Sequence, residues 1–438
     1  MYAHNRTRRL LAVGASVGVL GIAGCGGDDD GGGNGNAGGN GGEGTTSVEL
    51  TVGNLVPLTG DLSPFGPPGR KASQLAIDQI KAAAREAGVT TQLTVQHADT
   101  ETNPQSAVQA ARQLISRGAG CIAGPWASAE TLAVAQSVAS RQRIPIVSPS
   151  STDAAITDLD DRGFVYRTAP SDVLQARALA EVVEEELGGT DGTVSLAARN
   201  DAYGQGFIDR FKEAWEELGG TARGPVLYDP EQPSYNSEAE QITSGNPDAY
   251  VIIDFFETYA KMGAALVRTG QFDAGTLFTA DGLASDAIPG DIPDEALVGA
   301  RGTRPGTPES GAVVEEFGRI YSDAPGPGRQ TFDAQNFDAT MLCYLAAVAA
   351  GSSDGADIAE QLQAVSAPPG DSFTFMELSD AITALSNGDD IDFDGVTGPL
   401  DFDDNGDPTA ATYEVYRYDP NGKLKVVRQF EAKAESGS

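Results

Sequence analysis

The sequence predicts an α/β protein of two lobes, each a mostly parallel sheet with helices on both faces. Three observations carry that expectation. Strand-like apolar runs alternate with single helix-like runs, the order that parallel sheets crossed by helices require. The alternation starts twice, which divides the elements into two sets. Of the 438 residues, about four hundred remain after an N-terminal leader and a polar tether, enough for two packed lobes.

VELTVGNLVPL, from Val48, is an apolar strand, and GRKASQLAIDQIKAAAREAG is a helix that stops at Gly88. TQLTVQHADT is a strand, NPQSAVQAARQLISRGAG a helix, and CIAGP a buried strand. An alanine-rich helix follows Ser128, and IPIVSPS completes the first set. The second set opens with a helix in DVLQARALAEVVEEELGG, a strand in TVSLAARND and a helix in QGFIDRFKEAWEELGG. GPVLYD, YVIIDFFE and TLFTADG are strands, with a helix reaching about Gly270 between the last two.

Ahead of the folded body, Arg6, Arg8 and Arg9 precede an apolar stretch, Leu10 to Ala23, too short to span a bilayer. It closes on Ile22-Ala23-Gly24-Cys25, which looks like the lipobox of bacterial lipoproteins, whose cysteine takes a diacylglycerol and becomes the new N-terminus. TRRLLA also resembles a twin-arginine signal, so two export routes stay open. Residues 1–24 read as a signal peptide, and 25–46 as a flexible tether that cannot bury anything. The expected location is extracytoplasmic, on the outer face of a bacterial membrane.

Net charge is −34, and removal of the three leader arginines makes it −37. Such a surface repels nucleic acid, and that class of partner is excluded. Of two histidines, His4 lies in the leader, so Ser-His-Asp catalysis would rest on His97, at a strand end where a structural role is expected. Cys121 and Cys343 read as two buried thiols, with a disulfide between them left open. No zinc spacing, nucleophile elbow or P-loop occurs, and YGQG reads as a turn. Asp390, Asp392, Asp394, Gly395 and Asp401 match a calcium-loop spacing, but their flanks read as strands and tight turns, not as helix-loop-helix. No metal, cofactor or enzymatic activity is expected.

Ligands of parallel sheets bind beyond the carboxyl ends of the strands. The loops there are PLTGDLSPFG, GPWAS, SPSST, NDAYGQG, DFFETY and ADGLAS. They hold hydroxyls, aromatics and one carboxylate, Asp281, without a base-nucleophile pair. In CIAGPWASAE a strand empties into a helix start with Ser128 at the junction, an arrangement that suits an anion.

With DTETNPQSAVQAARQLI, IPIVSPSST, FTADG, QNFDATML and FDGVTGPLDFDDNGD added, in order, the chain from about Val48 to Glu431 resembles the substrate-binding proteins of branched-chain amino-acid ABC transporters. These are type I periplasmic binding proteins. The resemblance implies three crossings between lobes, with lobe one at 47–169 and 303–389 and lobe two at 170–302 and 390–433. It implies that Ser128 holds a ligand α-carboxylate, that Thr152 and Ser150 contact the ligand with Ser151 between them, and that Asp281 pairs with an α-ammonium. Tyr203 would close over the ligand from lobe two. The sequence departs from the pattern at Phe65, which replaces a usual tyrosine, at Trp126, which replaces a smaller side chain, and around IIDFFETYAK, where Phe255 or Phe256 becomes the pocket aromatic. The implied function is a lipid-anchored receptor that clamps a small amino acid and presents it to a permease. Alternatives are an amide, urea or aromatic acid as ligand, or a sensing role.

Overall fold

The computed structural model describes residues 47–288 and 290–433. The leader, Cys25 and the tether lie outside the described residues. Among those described, no helix is long and apolar enough to cross a membrane.

The first set of elements forms a five-stranded parallel sheet in the order β2-β1-β3-β4-β5. Its strands are β1 (Ser47–Val56), β2 (Thr90–Asp99), β3 (Ala119–Ala123), β4 (Ile146–Ser148) and β5 (Val165–Arg167). β1 starts with exposed and buried residues in alternation and ends wholly buried, as a central strand between two neighbours should. β2, at the edge, stays half exposed. There His97 Nδ1 lies 3.0 Å from Asn54 Nδ2, and burial lowers the imidazole to about 4, which favours its neutral form.

The second sheet has seven strands in the order β15-β14-β10-β9-β8-β6-β7. β6 (Thr193–Arg199), β7 (Thr221–Tyr228), β8 (Ala249–Ile253), β9 (Leu277–Thr279) and β10 (Arg301–Pro305) run parallel. The hairpin of β14 (Ala410–Tyr418) and β15 (Leu424–Lys433) extends this sheet antiparallel to β10. A small third sheet joins β11 (Asp371–Thr374), β12 (Ile391–Gly395) and β13 (Gly398–Pro399). In both large sheets the winding reverses beside the first strand, between β1 and β3 and between β6 and β8. Such switch points open a crevice at the carboxyl ends of the strands.

The chain crosses between the sheets three times, after β5, after β10 and before β14. Two crossings differ from the sequence expectation. β10 runs through the boundary expected at 302/303 and stays in the second sheet. Residues 391–399, expected in lobe two from 390, pack instead with the first lobe: Ile391, Phe393, Val396 and Leu400 share a core with Val52 and Met341. The acidic calcium-like stretch lies here and folds as strands, and no metal-holding cluster of His, Cys, Asp and Glu occurs among the described residues. YGQG is not a turn; it forms the first turn of the helix Ala202–Glu217.

The helix Asp333–Ala350 is apolar around most of its circumference, so it packs as a buried helix, with Asp333 to Val348 all inside. Cys343 on it is bonded to Cys121 of β3, with Cα atoms 5.7 Å apart. The question the sequence left open, two thiols or one disulfide, is answered by neighbouring elements that bring together cysteines 222 residues apart in sequence. A cross-link over so long a loop constrains the unfolded chain strongly. Replacing both cysteines by serine should lower stability by about 2–4 kcal/mol, read as a drop in the denaturant midpoint. An unchanged midpoint would contradict this account.

Candidate functional site

Loops from both switch points meet around one cavity lined by Leu62, Phe65, Trp126, Ser128, Ser150, Tyr203, Phe255, Asp281 and Phe332, with Ala127 and Gly282 completing the wall. About 290 Å³ of space outside atoms, open solvent included, lies between these side chains, but the free room takes only about one water. The side chains are closely packed here, so a larger ligand requires the walls to move.

The first-lobe wall is a braced loop. β3 passes through Gly124 and Pro125 to Trp126, and a helix begins at Ser128 and runs on, through a π-helical turn, to Gln142. The cap residue is Ala127, whose N–H donates to Glu130 Oε2 at 3.1 Å. Glu130 is fully buried, and burial pushes its carboxyl up to about 7. Ser128 is the first helical residue, not the cap. Its Oγ accepts from Asp153 N–H at 3.3 Å, which leaves its O–H proton for another partner.

The serines after β4 hold this loop. Ser148 Oγ donates to Pro125 O at 2.7 Å and accepts from Ser151 N–H at 3.1 Å. Ser150 Oγ donates to Trp126 O at 2.7 Å, and Ser151 Oγ does so at 3.0 Å. Ser151 also meets Thr131 Oγ1 at 2.7 Å. Ser151 and Thr152, both expected at the ligand, therefore lie behind the cavity wall. Ser151 is turned toward the Trp126 carbonyl, and the Thr152 carbonyl accepts from Asp172 N–H at 2.8 Å. Trp126 packs onto the helix Gly66–Glu86 so closely that a Cβ at Gly69 would sit 2.3 Å from its Cζ2.

The second-lobe wall centres on Asp281, 3% exposed. Its Oδ1 accepts from Gln175 Nε2 at 2.7 Å and from Tyr203 O–H at 3.3 Å. Tyr203 in turn accepts from Gly282 N–H at 3.1 Å. Burial raises the Asp281 carboxyl to about 6, although these donors oppose the shift. Burial also holds neighbouring Asp172 well above the carboxylate range, with the charge of Asp281 adding to the effect. Phe255 stacks on Tyr203 with centroids 5.0 Å apart and planes 14° from parallel. Gly282 permits this approach, since a Cβ there would lie 2.5 Å from Asp254 O and 2.8 Å from Phe255 Cδ1.

Of the two candidate phenylalanines, Phe255 lines the cavity. Phe256 begins the next helix and packs against Phe65, centroids 6.1 Å apart. Sequence reasoning passed over Leu62, although it lies in a loop already singled out, and also Ala127, Gly282, Gln175 and Phe332. Phe332 itself adopts a left-handed backbone (φ 70°), which a phenylalanine does not announce in sequence.

A family model described as periplasmic binding protein matches residues 49–423. The chain is 28% identical over 362 residues to a chemotactic signal transduction system substrate-binding protein, BasB, of Halobacterium salinarum, covering 80% of this chain and 83% of that one. In fold it resembles the branched-chain amino acid transporter substrate-binding protein LivJ of Streptococcus pneumoniae, solved with isoleucine (TM-score 0.70, 21% identity, 88% of this chain and 99% of that one). A solute-binding protein from R. palustris solved with benzoate is similar too (TM-score 0.67, 19% identity, 89% and 98%). At such identities the structural likeness speaks for the fold alone. The family match, which covers every loop of the cavity and all but the last strand of the second sheet, decides the matter: this chain belongs to the periplasmic binding protein family.

Proposed function

We propose that the protein is an extracytoplasmic receptor that clamps a small amino acid, branched-chain or related, between its lobes and delivers it to an ABC transporter permease. One observation carries the reading: two lobes contribute opposite chemistry to one cavity. The first lobe offers the Ser128 hydroxyl at a helix start, suited to a carboxylate. The second offers buried Asp281, suited to an ammonium. Phe65, Trp126, Tyr203, Phe255 and Phe332 supply apolar walls. In this reading Ser150 contacts the ligand, whereas Ser151, Thr152 and Phe256 support the wall. Closure excludes water and strengthens the charged contacts. The lipid on Cys25 and the tether would keep the receptor beside its permease.

A second reading, an aromatic acid as ligand, is favoured by the five aromatic side chains and by a carboxyl at Asp281 that takes up a proton readily. The likeness to a chemotaxis protein supports a sensing role for the same binding event.

The pH dependence of binding separates the two ligands. An ammonium needs Asp281 ionised, so amino-acid affinity should be full above about 6 and fall about tenfold per pH unit below it. A benzoate-like acid gains nothing from the charge, and its affinity should hold or rise on acidification. Calorimetry with L-leucine and with benzoate between pH 5 and 8 distinguishes them.

Asp281→Asn should weaken an amino acid by about 3–5 kcal/mol, because it leaves a buried ammonium without its countercharge. Ser128→Ala should cost about 1–3 kcal/mol, since backbone N–H groups still meet the carboxylate. Near-normal amino-acid affinity in Asp281→Asn would remove the ammonium from this site. Separately, Cys25→Ala should move the folded protein from the membrane fraction to the soluble one. Retention after a carbonate wash would contradict lipid anchoring.

A further inference from the structure

β6 ends on Arg199, a buried guanidinium among three carboxylates. Its Nε donates to Asp201 Oδ2 at 2.6 Å, and one terminal nitrogen lies 3.7 Å from Asp254 Oδ1. Both of these partners belong to the second lobe. The other terminal nitrogen is 2.9 Å from Asp61 Oδ2, and Asp61 sits in the first-lobe loop that follows β1. Thr258 of the second lobe donates its hydroxyl to the same Asp61 oxygen at 3.1 Å. The guanidinium also lies 3.9 Å from the ring centre of Phe255, which lines the cavity.

Arg199 thus touches a carboxylate across the cleft and the back of a cavity wall at once. The Asp61 side chain is 23% exposed and that of Arg199 5%, so the pair is sheltered from salt more than a surface pair is. Were the lobes to part, Arg199 would keep Asp201 and Asp254, and Tyr228 would still donate to Asp254 at 2.7 Å. The second-lobe half is therefore preassembled. Asp61 is the half that leaves.

We propose that Asp61 and Arg199 form a latch that holds the lobes together over the cavity, with Arg199 positioning Phe255 in its wall. The latch rests on the clamp reading above and names what, besides the ligand, biases the clamp toward closure. Neither residue lines the cavity, so their effect on binding runs through lobe geometry and Phe255.

Asp61→Asn removes the charge and keeps the shape. Small-angle scattering on the ligand-free full chain needs no ligand. The unaltered protein should be compact at about 0.15 M salt, whereas Asp61→Asn should be expanded under the same conditions. With L-leucine or benzoate, whichever the unaltered protein binds, Asp61→Asn should release ligand about tenfold faster with little change in association. Asp61→Glu should restore most of the slow release. An Asp61→Asn protein that matches the unaltered one in scattering or in release rate overturns the latch. If neither probe binds the unaltered protein, the amino-acid and aromatic-acid readings fall, and scattering still decides the latch.

Discussion

The buried guanidinium of Arg167 is the contact on which the rest of the structure depends. It sits at the end of β5, where the chain first leaves the first sheet, with no exposed surface. Its Nε and one terminal nitrogen pair with Asp407, which lies just before the third crossing. The remaining donors reach Asp153 O at 2.9 Å, Ser151 O at 3.3 Å and Thr157 Oγ1 at 2.7 Å. A buried cation without full pairing would cost several kcal/mol. Meeting that demand fixes two crossings and the loop after β4 in one arrangement. The backbone that carries Ser150 beside the cavity is thereby referenced to the hinge.

From that anchor outward, each layer constrains the next. The loop after β4 uses Ser148, Ser150 and Ser151 to hold the carbonyls of Pro125 and Trp126. The helix start at Ser128 is placed by the same loop through Asp153 N–H. Across the cleft, Gln175 spans Asp281 and the Thr303 carbonyl of β10, so the candidate carboxylate is fixed against the sheet itself. Polar groups set position on both sides, and aromatics fill what remains. A site built this way can change its apolar lining without losing the arrangement that meets a ligand's charged end.

Much of this was legible in the sequence because strand ends and helix starts have local signatures. Phe65, Trp126, Ser128, Ser150, Tyr203, Phe255 and Asp281 all follow strands recognisable by composition, and all line the cavity. What the sequence left undecided depended on orientation or on distant chain. Ser151 and Thr152 follow Ser150 directly, and it takes the hydrogen bonds from Ser151 N–H to Ser148 Oγ and from Ser151 Oγ to Trp126 O to show which way that turn faces. Phe255 and Phe256 separate only once the helix is seen to begin at Phe256. Phe332 comes from a segment far from the strand loops. The lobe boundary near 390 was misplaced because FDGVTGP reads as strand under either assignment, and its apolar side chains do not say which core they enter.

The Cys121–Cys343 bond lies within the first lobe's core, yet its two ends bracket the whole stretch from β4 to the helix Asp333–Ala350. The parallel strands of the second sheet all fall inside that covalent ring, and the first two crossings are its exits and re-entries. Backbone cleavage at either of those crossings opens the ring without producing two separate molecules. The lobes of a nicked receptor would remain one covalent object until reduced. In an oxidising, protease-rich compartment, that topology separates damage to the hinge from loss of the domain.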